Sequence, residues 1–113
     1  MQRVRRLTSA ADIRRTYSHG RKASSQSVVV HVRRSGEDRP ARIGVSAARG
    51  VGGAVERNRA KRRVREAVRV IAGSIAPGAD VMVVATRATA DAEFQKLVDS
   101  VAGTLEKAGG LVG

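Results

Sequence analysis

Residues 57–69, RNRAKRRVREAVR, constrain this chain more than any other stretch. Seven of the thirteen are basic, yet Ala60, Val64, Ala67, Val68 and Ile71 recur at the spacing of one helix face. A helix over roughly 55–72 would lay that stripe on a core. Arg57, Lys61 and Arg65 would then stand at i, i+4 and i+8 on a neighbouring face, with Arg62 and Arg69 extending it. Like charges at that spacing repel one another. The helix therefore calls for a core on one side and an anionic partner on the other.

The start of this helix sharpens the demand. A first helical turn carries partial positive charge on unpaired N–H groups. Arg57, Arg59 and Lys61 add more, and Glu56 offsets only part of it. A docked phosphate reverses the balance, because dipole, N–H groups and guanidinium forks all act on it. Gly50, Gly52 and Gly53, just upstream, would let a backbone approach closely. Asn58 can donate and accept, so it suits a 2′-hydroxyl, a base edge or the cap of the helix.

Periodicity places the other elements. Thr8 or Ser9 caps a short helix over 9–19, with Ala10, Ile13 and Tyr17 on one face and Gly20 as its stop. Residues 25–34 alternate as a strand: Val28, Val30 and Val32 face one way, Val29, His31 and Arg33 the other. SGEDRP at 35–40 is a turn. Residues 41–47 form a second strand, expected antiparallel to the first across this short connection, with a few more paired residues near 48–51. VMVVAT at 81–86 is apolar throughout and reads as a buried strand. Thr89 would cap a last helix over 90–108, with Phe94, Leu97, Val98, Val101 and Leu105 facing inward. Residues 1–8 are a basic arm carrying Arg3, Arg5 and Arg6, and GGLVG is a frayed end. The order predicts one α+β sandwich domain over 1–113.

Charge is unevenly spread. Residues 1–72 hold 19 Lys and Arg against 5 Asp and Glu, a balance of +14, whereas residues 73–113 hold 3 against 5, a balance of −2. Such a concentrated field suggests nucleic acid. A membrane surface fits poorly, because the basic helix has no Trp or Phe anchor; the longest apolar run, 81–85, is too short to span a bilayer. The opening residues have no apolar segment of the signal-peptide kind. The absence of cysteine excludes thiolate metal sites and suits a cytoplasmic protein. No Ser/His/Asp set, carboxylate pair beside a histidine, P-loop or metal constellation points to a protein-borne active site or a small-molecule substrate. Asp80 and Asp91, flanking the apolar strand, suit turns and caps.

RIGVSAARGVGGAVERNRAKRRVREAVR at 42–69 resembles the signature region of the bacterial ribonuclease P protein family. That region has a glycine–hydrophobic–serine strand, a basic pair, a glycine, Ala-Val, and then Arg-Asn-Arg-x-Lys-Arg-x-x-Arg on a helix. RLTSAADIRRTYSHG near the start is similar to the family's opening, a basic-Leu pair followed by a short helix ending in His-Gly. The resemblance runs along nearly the whole chain. It implies an α-β-β-β-α-β-α sandwich similar to ribosomal protein S5 domain 2, with a left-handed βαβ crossover.

The resemblance also implies a division of labour. The partner ribonuclease P RNA would carry phosphodiester hydrolysis with its own Mg²⁺, with no metal or cofactor held by the protein. The protein would bind that RNA and the 5′ leader of precursor tRNA. By position, Arg49, Arg57, Asn58, Arg59, Lys61 and Arg62 would face the catalytic RNA. Ile13, Tyr17, His31 and Arg65 would form the leader cleft. The family usually has aromatics at the positions of Ile13, Tyr17 and His31. Tyr17 and His31 can still stack on a base, whereas Ile13 offers only van der Waals surface. The basic pair reads Arg49–Gly50 here, one charge fewer.

Two other readings remain open at this level. A ribosomal or other structural RNA-binding protein would show affinity for ribosomal RNA and no effect on tRNA maturation. A DNA-binding domain would set the basic helix in a major groove. Residue by residue, His31 could be a half-exposed strand histidine bonded to a neighbour, Tyr17 a core residue with its hydroxyl at the surface, and the arm a source of nonspecific attraction.

Overall fold

The structure, a computed structural model, describes residues 4–112. Its elements are β1 (Arg5–Arg6), α1 (Ala10–His19), β2 (Arg21–Ser24), β3 (Val28–Arg34), β4 (Arg42–Ala47), α2 (Ala54–Ile71), β5 (Ala79–Ala85) and α3 (Phe94–Lys107), with short 3₁₀ turns at Arg49–Val51, Ala72–Ser74 and Arg87–Thr89. The strands form one sheet in the order β1-β4-β5-β3-β2. β4 and β5 run parallel and α2 connects them. The α-β-β-β-α-β-α order implied by the resemblance is present, preceded by the short β1.

Alternation along the strands divides the sheet into two faces. Val28, Val30 and Val32 of β3, and Val81, Val83 and Ala85 of β5, are buried in the core with Ala60, Val64, Ala67 and Val68 of α2 and Leu97, Val98, Val101 and Leu105 of α3. Both strands thus meet α2 and α3 through one face. The other face carries Val29, His31 and Arg33 on β3, Asp80, Met82 and Val84 on β5, and Arg42, Gly44 and Ser46 on β4, each row in register. α1 lies across that face. Ser9 caps it by accepting from the Asp12 N–H at 3.3 Å.

The expected pairing of residues 25–34 with 41–47 does not occur. β5 lies between them, antiparallel to β3 and parallel to β4. The reason is burial. β5 is apolar on nearly every residue and gains most in the centre of the sheet, while the polar connection after β3 is long enough to step over one strand. Nor does β4 continue over 48–51: pairing ends where the Ala48 N–H donates to the Ala85 carbonyl at 3.0 Å, and the chain turns into the 3₁₀ segment.

Other boundaries shift for local reasons. Thr89 does not cap a helix over 90–108; it is buried, its hydroxyl donating to the Ser27 carbonyl and accepting from the Thr86 N–H. The last helix starts at Phe94, capped by the Glu93 carboxylate. Phe94 then falls at the rim rather than on the inner face and is 38% exposed. The end is not frayed over 109–112: Ile75 bridges Leu111, and the Val112 N–H donates to the Ser74 carbonyl. Gly20 ends α1 in extended geometry, not a left-handed cap. Its glycine is required by space, since a Cβ there would run into the Thr16 and Val32 carbonyls.

The basic arm is partly a strand. Arg5 and Arg6 pair with β4, the Arg5 N–H donating to the Ala41 carbonyl at 2.8 Å and the Leu7 N–H to the Ile43 carbonyl at 3.0 Å. Leu7 is buried. Arg3 lies outside the described residues.

Asp80 is neither a turn residue nor a cap. It is fully buried within β5. Arg33 on β3 and Arg42 on β4 flank it in register, and Arg39 reaches in from the connection, all within 2.8–3.0 Å of its oxygens. Burial alone would raise its pKa. The Arg42 hydrogen bond and the surrounding guanidinium charges outweigh that and hold the carboxyl below the usual carboxylate range.

Candidate nucleic-acid interface

α2 begins at Ala54, with Gly53 as its N-cap and no side chain bonded to the first turn. The first intrahelical bond runs from the Arg57 N–H to the Gly53 carbonyl at 3.0 Å, so the N–H groups of residues 54–56 point out of the end without helical partners. Asn58 therefore sits inside the helix and does not cap it. Arg57, Asn58, Arg59 and Arg62 are exposed, and Lys61 is half-buried. Among the described residues none of Arg57, Arg59, Lys61 and Arg62 takes part in an ion pair. Arg49 is exposed on the 3₁₀ turn that leads to this end.

Two arginines outside the expected set build this platform. Arg63 turns away from the basic face, its Nη1 donating to the carbonyls of Thr89 and Ala90, both at 2.8 Å. Arg87 Nε donates to the Gly50 carbonyl at 3.1 Å, tying the glycine-rich loop to the turn after β5. Nothing in the local pattern separates these two from their exposed neighbours; both bonds join residues more than twenty positions apart.

A groove of about 610 Å³ follows the β4 edge between α1 and α2. β1 stops at Arg6, which leaves Gly44 and Val45 of β4 without a paired strand on that side. Ile13 of α1, Arg65 and Arg69 of α2, and Arg5 and Arg6 line the groove, with Met82 and Val68 in its apolar part. Ile13 and Arg65, 52 positions apart, thus face one space. A Cβ at Gly44 would press on the Met82 sulfur and displace the end of that side chain.

Tyr17 and His31 sit beside the groove rather than among its lining residues. Their rings meet edge to face, with centroids 4.7 Å apart. Tyr17 is 38% exposed and shares a hydrogen bond with Ser46 Oγ at 3.2 Å; it is not a core residue. His31 Nδ1 has no hydrogen-bond partner among the described residues, so the reading of a histidine bonded to its neighbour fails at that nitrogen. Burial, and then the charge of Lys22 opposite it on β2, push the His31 pKa below its usual value. The lowered pKa favours the neutral imidazole, the form suited to stacking on a base over ion pairing.

An α+β sandwich that carries an uncapped arginine-rich helix end and an arginine-lined groove beside an edge-to-face ring pair has the features of a nucleic-acid-binding protein. The comparisons make the class specific. Residues 1–109 match the family model described as Ribonuclease P. The chain is similar to the ribonuclease P protein component of Symbiobacterium thermophilum, 38% identical over 109 residues that cover 96% of this chain and 95% of that one. It is also similar to the component from Clostridioides difficile, 30% identical with 93% and 92% covered. Among solved structures, the Staphylococcus aureus RNase P protein aligns with a TM-score of 0.78 at 28% identity, covering 95% of this chain and 97% of that one. The Thermotoga maritima RNase P protein gives 0.76 at 27%, covering 90% and 96%. The chain belongs to the ribonuclease P protein component family, and so to tRNA processing.

Proposed function

We propose that this chain assists a catalytic ribonuclease P RNA in removing the 5′ leader from precursor tRNA. The basic end of α2, with Arg49, binds the RNA subunit. The groove and the Tyr17–His31 pair bind the leader, with Arg65 supplying charge beside its backbone. Holding both raises affinity for precursor over mature tRNA and improves Mg²⁺ binding by the RNA. The observation that carries this reading is the division of one helix. Its first two turns present unpaired arginines to solvent, and Arg65, two turns after Arg57, lines the groove opposite Ile13.

In this reading the catalytic ion belongs to the RNA. Among the described residues no three His, Cys, Asp or Glu side chains converge, and both oxygens of the buried Asp80 accept from arginines. Hydrolysis needs a metal-activated nucleophile, and in this reading the RNA supplies it. The protein supplies counter-charge and a stacking surface. Ile13, smooth and aliphatic, makes leader contacts less base-selective than an aromatic would. Among the described residues no helix is long and apolar enough to cross a membrane.

Reconstitution tests the proposal. A bacterial ribonuclease P RNA and this protein, assayed on precursor tRNA at low Mg²⁺, should cleave the leader much faster than the RNA alone. Equal rates with and without protein would refute it. Tight binding to ribosomal RNA with no effect on processing would favour a structural ribosomal role instead.

A further inference from the structure

β4 presents Arg42, Gly44 and Ser46 in a row toward α1. Arg42 Nη2 lies 3.1 Å from the Asp12 carboxylate at one end of the helix, and its Nε lies 2.8 Å from buried Asp80. Ser46 bonds the Tyr17 hydroxyl at 3.2 Å near the other end. Gly44, between them, has no side chain to push the helix away, and Met82 and the Leu7 carbonyl fill that space. Asp12 also holds Arg15 at 2.8 Å and lies 3.9 Å from Arg33. The helix is therefore pinned to one strand at two points, and Ile13, next to the first, lines the groove.

We propose that Asp12 and Ser46 are positioning residues for leader recognition, clamping α1 to β4 at both ends and so setting the width of the groove and the tilt of the Tyr17 ring. Neither side chain lines the groove. Both act through the residues beside them: Asp12 through Ile13, and Ser46 through the Tyr17 hydroxyl. Without the Ser46 bond the Tyr17 ring keeps its edge-to-face contact with His31 but loses the anchor at its hydroxyl, and a leader base must complete its ordering on binding. That entropy is otherwise removed in advance. The inference rests on the leader reading above.

The test uses the reconstituted holoenzyme and measures binding of precursor and mature tRNA. Wild type should prefer precursor; if it does not, the functional reading fails before the clamp is tested. Given that preference, Ser46→Ala and Tyr17→Phe should each lower the precursor-to-mature affinity ratio by about 3- to 10-fold, the range of one lost hydrogen bond. The double variant should lose no more than either single. Ser46→Thr, which keeps the hydroxyl, should restore the ratio, and affinity for the RNA subunit should not move. Asp12→Asn should lower the ratio as well. Because it also removes the ion pairs with Arg15, Arg33 and Arg42, its thermal midpoint is read alongside, and Ser46→Ala carries the decision. An unchanged ratio in both Ser46→Ala and Tyr17→Phe, additive losses in the double variant, or equal loss for mature tRNA would overturn the proposal.

Discussion

Arg42 and Asp80 stand opposite one another on parallel neighbouring strands, and their side chains meet in a two-pronged ion pair, Nε to Oδ1 and Nη2 to Oδ2, both at 2.8 Å. Removing a buried partner leaves the other charges uncompensated, which costs about 3–5 kcal/mol. Asp80→Asn should fall near the lower end, because Arg33, Arg39 and Arg42 keep some solvent contact. Urea denaturation checks this; a loss under about 1 kcal/mol, the level of a surface pair, would contradict it.

The same carboxylate makes stability depend on pH. Its folded pKa lies below the ordinary value near 4, so the unfolded chain binds the proton more readily. Its contribution is fully present above about pH 5 and is lost as pH falls through the lowered folded value. The urea midpoint of wild type should drop on acidification more steeply than that of Asp80→Asn. Parallel curves would show that the shift carries no stability.

His31 should titrate below the ordinary histidine value near 6.5. Burial is the larger cause and Lys22 the smaller, so Lys22→Ala should move the pKa only part of the way back. Ring proton shifts across a pH series measure both. A wild-type value at or above the ordinary one would remove the argument for a neutral stacking imidazole.

At the start of α2, Arg57→Ala and Arg59→Ala should each lower the magnitude of the salt slope of RNA binding by about one unit or slightly less. Both side chains are exposed, and among the described residues neither takes part in an ion pair. An unchanged slope would identify a solvated face. Arg63→Ala differs in kind. It should leave the slope nearly unaltered and lower stability, since its guanidinium holds the Thr89 and Ala90 carbonyls.

Tyr17→Ala should weaken precursor binding by about 1–3 kcal/mol, the range for one stacked base, and spare mature tRNA. Partial exposure of the ring makes a general loss of folding an unlooked-for result. Equal weakening of both ligands would assign Tyr17 to the scaffold.

The inner faces of α2 and, Phe94 apart, of α3 were readable because their apolar spacing is local: Ala60, Val64 and Val68 announce α2 without help from the rest of the chain. That of α1 was not, because its buried residue is Thr16 while Ala10 and Tyr17 are exposed. The alternation of Val28, Val30 and Val32 likewise showed which side of β3 is buried. Alternation says nothing about which strand lies alongside, so the placement of β5 between β3 and β4 was hidden. Arg5–Arg6 and Arg21–Ser24 pair through backbone alone and have no apolar signature. Asp80 looked like a turn residue because its three arginines lie 38 to 47 positions away. In the interface, the family motif pointed to the exposed arginines of α2 and to Ile13 and Arg65. The brace from Arg87 and the Tyr17–Ser46 contact needed the fold.

The central position of β5 also orders events during synthesis. Every segment of the basic half is synthesised before residues 79–85 exist. Until they do, β3 has only β2 beside it and β4 only the two residues of β1. Asp80, which draws three arginines together, arrives on that same late strand. The chain is thus at its most cationic just before Asp80 is added, and the sheet closes late through long-range pairing, which is slow. A nascent chain stalled before Ala79 would hold its arginines on an unfinished scaffold, open to any nearby RNA. The final third of the sequence, nearly neutral itself, supplies the strand that joins the basic two-thirds into one sheet.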